Sequence, residues 1–289
     1  MTSGETMNDR LNQSQIDFYR ENGFLVIEDF LTPGELDHWQ KSTQEAVDQR
    51  LASLAAHKAG STDGDARQAA IAQAALLVNQ ATEDDYYARV FIQCLKLVDT
   101  HAGMRELLLD PRLGKLAATL AEVDGIRIWH DQALFKPPFG NPTGWHLDNP
   151  FWSFSSKQAI SIWIALDDAT RNNGCLYYLP GTHKLGTFKP TNIGKNQADL
   201  FNMYPEWRQI DSVACPAPAG AAVFHNGLTA HGAGANMTNR PRRAMTCAYM
   251  PEGSTFNGVR NILPEDYFRS LQVGDLLNDN ALNPLIWPA

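Results

Sequence analysis

The 289-residue chain is short of cysteine, of positive charge and of long apolar runs, and each shortage removes a class of protein. Its four cysteines, Cys94, Cys175, Cys215 and Cys247, are scattered with no C-x-x-C pair, which disfavours a disulfide framework or a cysteine zinc site. Lysine and arginine total 24 against 32 acidic residues, a formal net charge of −8. Neither nucleic acid nor an anionic membrane surface is therefore an expected partner. No stretch approaches 18 uninterrupted apolar residues; the best, Ala69 to Val78, is broken at Gln73. The opening MTSGETMNDRLNQ lacks the apolar segment of a secretory signal, so a cytoplasmic location is expected. The chain does have apolar material for a sizeable core, being 44% hydrophobic and 10% aromatic.

The pattern predicts one domain over 1–289, α+β with a mainly β core. Residues 1–123 read as a helical layer, 124–250 as the β core and 251–289 as an irregular tail. Thr32-Pro33-Gly34-Glu35 is a helix start: threonine caps, proline suits the first turn, and glutamate reaches back. Leu36, Trp39, Ala46 and Val47 continue a helical stripe over about 33–52. Phe24–Ile27 reads as a short strand, 53–85 as a variable insertion broken at Gly60–Gly64, and 87–121 as helical with a break at Asp110-Pro111. Strands are expected at Ile126–Phe135, Trp145–Asp148, Ala159–Leu166, Leu176–Leu179, Ala221–His225 and Ala244–Met250. Turn clusters between them argue a sandwich or barrel.

The chemistry concentrates in Gly144-Trp145-His146-Leu147-Asp148. On a strand, positions i and i+2 share a face, so His146 and Asp148 would present an imidazole and a carboxylate to one point. That is two thirds of the two-histidine, one-carboxylate set of non-haem Fe(II) oxygenases. With eight histidines and 21 aspartates, chance alone supplies about half an H-x-D per chain, so the pair needs support. A third ligand would come from a later strand. His231, in Thr229-Ala230-His231-Gly232, and His225, six residues earlier, are both available. Eleven residues past His231, Arg242 opens a run in which alternation groups it with Ala244 and Thr246, and Arg243 with Met245 and Cys247. An arginine on an inward face calls for an anion, since guanidinium binds a carboxylate as a fork. Fe(II) with two neutral histidines and one aspartate carries +1. A dicarboxylate brings the site to −1, and Arg242 returns it to neutral.

The H-x-D segment, Gly174-Cys175-Leu176 leading to Leu179-Pro180-Gly181-Thr182-His183, and His231 with its arginine eleven residues on resemble the phytanoyl-CoA dioxygenase (PhyH-like) family. The resemblance runs from about Gln15 to the end and is strongest over 126–250. It implies a double-stranded β-helix, of jelly-roll or cupin type, carrying a dioxygenase that uses Fe(2+), 2-oxoglutarate and O2, with ascorbate as an optional reductant. It implies His146, Asp148 and His231 as iron ligands and Arg242 as partner of the distal 2-oxoglutarate carboxylate. Gln132, Trp163 and, on a looser match, Gln93 fall at positions that touch the co-substrate. The implied reaction turns 2-oxoglutarate into succinate and CO2 while a C–H bond of a small molecule is hydroxylated. Related halogenases lack the carboxylate that Asp148 supplies, so hydroxylation is expected over halogenation.

Blander readings apply elsewhere. His225 is expected as a hydrogen-bonded pocket histidine, His183 as a turn-ordering residue, and His38, His57, His101 and His130 as structural. Trp145, Phe151, Trp152 and Phe154 flank the mouth as pocket lining or as core. Asp167-Asp168 reads as a solvated turn. Two other functions fit the same ligand trio: a non-catalytic β-helix that binds a metal or small molecule, and a zinc hydrolase with an open water site, which leaves Arg242 without a task.

Overall fold

A computed structural model describes residues 6–58 and 86–288, so most of the 53–85 insertion, with its Gly60–Gly64 break, lies outside the described residues. Helix α1 (Gln13–Asn22) opens on a capping box between Asn12 and Gln15 and stops at Gly23, whose backbone is left-handed at φ 81°. β1 (Phe24–Ile27) follows. α2 (Pro33–Lys58) begins where the capping signal placed it, with the Glu35 N–H donating to the Thr32 hydroxyl at 3.3 Å. It runs past the expected end near residue 52.

The stretch 87–121 corrects its all-helical reading. α3 (Ala102–Leu108) and α4 (Pro111–Ala121) are there, parted at Asp110, but Ile92–Leu95 forms a strand, β2. Four residues of strand show too little alternation to stand out beside a longer helical stripe.

The β core is built from β3 (Ile126–Lys136), β4 (Thr143–His146), β5 (Ile160–Ala165), β6 (Leu176–Tyr178), β7 (Val213–Cys215), β8 (Ala222–Asn226), β9 (His231–Ala233) and β10 (Arg242–Pro251). The tail is not irregular throughout, since β11 (Leu285–Trp287) joins the main sheet. That sheet has the order β1-β8-β5-β10-β3-β11, with β2 also on β3. A smaller sheet has the order β4-β9-β6-β7. The two are the layers of a double-stranded β-helix.

One face of the main sheet buries Ile160, Ile162, Ile164, Met245 and Cys247 against Trp39, Val47, Met104, Leu113 and Leu116 of the helices. Each such side chain contributes about 1.5–3 kcal/mol. The opposite face looks toward the small sheet, and the residues of both line a cavity between them. Along β10 the alternation is the expected one, with Arg242 and Thr246 on the cavity side and Met245 and Cys247 in the core. On β3 it slips. Ala133 and Phe135 share the helical core with Ile126 and Ile128, because a bulge opposite Ala248/Tyr249 inserts Trp129.

Candidate functional site

His146 ends β4 and His231 begins β9, and these two residues pair directly across the small sheet. Their ring centroids are 4.2 Å apart. Gly232 lets the strands close: a Cβ there would stand 2.9 Å from the Thr143 carbonyl oxygen. Asp148 is not on the strand, which stops at His146. It sits in a right-handed conformation (φ −82°, ψ −51°) at the start of a one-turn helix, Asn149–Phe151. The Gly227 carbonyl anchors that turn by accepting from both the Asp148 and Asn149 N–H groups. The shared-face argument from strand alternation is therefore corrected: a turn delivers the carboxylate to the histidines.

The three side chains offer one donor atom each, all within 4.8 Å of one another, and could hold a metal ion. His146 Nε2 lies 3.4 Å and His231 Nε2 3.7 Å from Asp148 Oδ1. Their Nδ1 atoms are committed elsewhere, to the carbonyls of Gly144 at 2.8 Å and Thr229 at 3.0 Å. A carbonyl only accepts, so Nδ1 carries the proton and Nε2 presents a lone pair inward, the tautomer a metal requires. Burial, joined by the neighbouring His146, pushes the His231 imidazole down to about 3 and keeps it neutral. Burial opposes ionisation of Asp148, but the facing imidazoles of His231, His146 and His225 outweigh it and hold the carboxyl well below its ordinary range.

His225, expected as a pocket histidine, takes up the other carboxylate oxygen, its Nε2 donating to Asp148 Oδ2 at 3.1 Å. Its Nδ1 then accepts from the Tyr178 hydroxyl at 3.0 Å. Tyr178 stacks on Phe24 of β1 with centroids 4.5 Å apart. Nothing in the spacing pointed to Tyr178.

At the far end of the cavity Arg242 is 2% exposed, yet its Nε and Nη1 have no hydrogen-bond partner among the described residues. Its guanidinium lies over Trp163, 5.1 Å from the ring centroid, and burial pulls its pKa down to about 10. A desolvated, unpaired cation costs several kcal/mol, so the surroundings fit a carboxylate that enters from the cavity. Gln93 and Gln132 line the same cavity and are hydrogen-bonded to each other. Lys136, unremarked in the sequence, is completely buried beside Arg242 and donates to the Asn141 carbonyl. Burial and the Arg242 charge push it down to about 7.

Phe151 and Trp152 line the cavity, whereas Trp145 packs on Phe201 and Phe154 on Trp129. His183 contacts the Arg20 carbonyl behind the sheet, and His101 caps α3. Asp167 is no free turn residue, since it forms an ion pair of 2.7 Å with Arg243. His130 departs from its structural reading and lines the cavity. No helix among the described residues is long and apolar enough to cross a membrane.

Comparison with known proteins gives a consistent answer. The phytanoyl-CoA dioxygenase (PhyH) family matches residues 19–244. A phytanoyl-CoA dioxygenase of Arabidopsis thaliana is 26% identical, covering 81% of this chain and 87% of its own. A methylphosphonate hydroxylase of Gimesia maris is 26% identical over 84% of this chain and 82% of its own. Among solved structures, SnoK, a non-haem α-ketoglutarate-dependent carbocyclase from nogalamycin biosynthesis, superposes with a TM-score of 0.72 at 26% identity, over 98% of this chain and 99% of that one.

Proposed function

Because the chain belongs to the phytanoyl-CoA dioxygenase family and is an Fe(II)- and 2-oxoglutarate-dependent oxygenase, we propose that its reaction is hydroxylation of a C–H bond in a small organic molecule. His146, Asp148 and His231 hold the iron, and Arg242 holds the distal carboxylate of 2-oxoglutarate. Trp163, under the guanidinium, keeps that fork dry, and the Gln93–Gln132 pair lines the wall beside it. The metal, when bound, would couple O2 to the two substrates, one oxygen atom going to succinate as 2-oxoglutarate loses CO2 and the other to the hydroxylated C–H bond. The protein's part is geometric. Backbone carbonyls fix both histidine tautomers, and His225, itself held by Tyr178, occupies Asp148 Oδ2 and leaves Oδ1 to the two Nε2 atoms, where it would serve as the carboxylate ligand. The reading extends to a single domain acting in the cytoplasm, which the four buried free thiols support.

The unpaired Arg242 in the same cavity as the metal trio carries the reading. A zinc hydrolase would leave that charge without an anion, and among the described lining residues Asp148 is the sole carboxylate, so no second one serves as base. Anaerobic titration with Fe(II) and then 2-oxoglutarate tests it. The expected result is the weak visible charge-transfer band of a chelated keto acid, absent in Asp148→Ala and needing far more 2-oxoglutarate in Arg242→Ala. Folded, iron-loaded protein without the band overturns the proposal.

A further inference from the structure

The strand registers sort the cavity into rows. Lys136 pairs with Arg242; Leu134 with Ala244 and Ala165; Gln132 with Thr246 and Trp163. The next row is His130, Ala248, Ser161 and His225, read across β3, β10, β5 and β8. From Arg242 to Ala248 is six residues of strand, about 20 Å at ~3.4 Å per residue. A five-carbon diacid clamped at Arg242 does not reach that far, so the last row lies at the opposite end of the same cavity, on the side where His225 meets Asp148.

Its chemistry is distinctive. His130 is 7% exposed, and its buried Nδ1 has no hydrogen-bond partner among the described residues. Burial drives it down to about 4, so the ring is neutral, with one nitrogen to donate and one to accept. Ser161 is buried as well, and it lines the same cavity. Between them stands Ala248, whose methyl leaves the space above it open. Buried polar groups are normally paired, and an unmade hydrogen bond costs about 1–3 kcal/mol, so an imidazole with an unpaired Nδ1 beside a serine on the same cavity wall asks for a ligand. His130 keeps the alternation of Leu134 and Gln132, and the bulge at Trp129 lies just beyond it, where the strand turns Ile128 and Ile126 into the core. Phe151, Trp152 and Ile262 supply apolar walls. Apart from Asp148 and Arg242, no charged residue is among the described lining residues of this cavity of about 290 Å³.

We propose that the row His130–Ala248–Ser161 seats the organic substrate, and that this substrate is an uncharged molecule with an apolar ring or chain, held by hydroxyl or carbonyl oxygens that His130 and Ser161 reach. This rests on the oxygenase reading for the word substrate but not for the binding. Neither a phosphate-bearing acyl carrier nor an ammonium group finds a counter-charge on this row.

Three matched probes test it: cyclohexanol, cyclohexanecarboxylate and cyclohexylammonium. Each is titrated by saturation-transfer NMR into protein loaded with Zn(II) and 2-oxoglutarate, so that Arg242 is occupied. Cyclohexanol is expected to bind at least tenfold tighter than either ion. His130→Ala and Ser161→Ala should each weaken it about 3- to 10-fold, the worth of one ordinary hydrogen bond. His130→Gln, which keeps a donor, should recover part of the loss and guards against a misfolded alanine variant. Equal binding of the three probes, or unaltered cyclohexanol binding in folded variants, overturns the inference. The Fe(II) keto-acid band is followed in parallel. A band without cyclohexanol contact overturns this inference alone, and cyclohexanol contact without a band overturns the oxygenase reading alone.

Discussion

Arg242 acts on stability and on binding with opposite sign. Without an anion it is a buried charge lacking a hydrogen-bond partner at Nε and Nη1; with one it becomes a charge-assisted fork. Arg242→Met should therefore raise the melting temperature of the ligand-free protein by several degrees, since about 1 kcal/mol shifts a chain of this size by ~2–4 °C or less. The same change should weaken 2-oxoglutarate binding by roughly 100-fold, the loss of two charge-assisted hydrogen bonds. Scanning calorimetry with and without 2-oxoglutarate reads both. A lowered ligand-free melting point would show that the guanidinium is paired in solution. This arginine was legible in the sequence because a cation among inward-facing small residues has few uses. His130 and Ser161 were not, because a lone histidine or serine on a strand is ordinary, and for His130 the alternation counted from Ile126 gives the wrong face across a one-residue bulge.

At the scale of elements, the long strands β3 and β10 declared themselves by alternation, and the capping residues marked the start of α2. The three- and four-residue strands β2, β7, β9 and β11 did not, since so short a run holds barely one period, and none of them is an unbroken run of four apolar residues as Phe24–Ile27 of β1 is. Asp148 shows the cost of reading a motif as a strand: the carboxylate arrives by a turn tied to Gly227. The contact between β4 and β9 is where this local geometry is most exposed to change. Gly232→Ala would press a methyl on the Thr143 carbonyl and push the two histidine-bearing strands apart. It should cost about 1–3 kcal/mol in stability and weaken Co(II) binding, read by the cobalt absorption spectrum. Unaltered metal affinity in the folded variant would show that the spacing of β4 and β9 does not set the trio.

For the molecule as a whole, pH sensitivity follows from a buried cation beside the cavity. Lys136 titrates near 7 when folded and at its ordinary 10.5 when unfolded, burial being the main cause and Arg242 the second. The unfolded chain thus binds the extra proton between those values. Stability is full above 10.5 and is lost as pH falls toward 7. Lys136→Met should flatten this limb of the curve in urea unfolding of ligand-free protein between pH 7 and 10; an unchanged slope would place the buried charge elsewhere.

The site also joins distant parts of the chain. Phe24 of β1 pairs with His225 of β8, and the Thr229 hydroxyl donates to the Gly23 carbonyl 206 positions earlier. During synthesis, then, His146 and Asp148 leave the ribosome well before His231, and the arginine clamp later still. With the proposed ligands, a nascent chain would offer iron only a two-ligand half-site, backed by no His225 and no closed sheet. Metal insertion is then expected as a late step of maturation, timed by the emergence of β8 to β10, because the unfinished polypeptide would be poorly equipped to retain a reactive ion before the cavity that contains its chemistry exists.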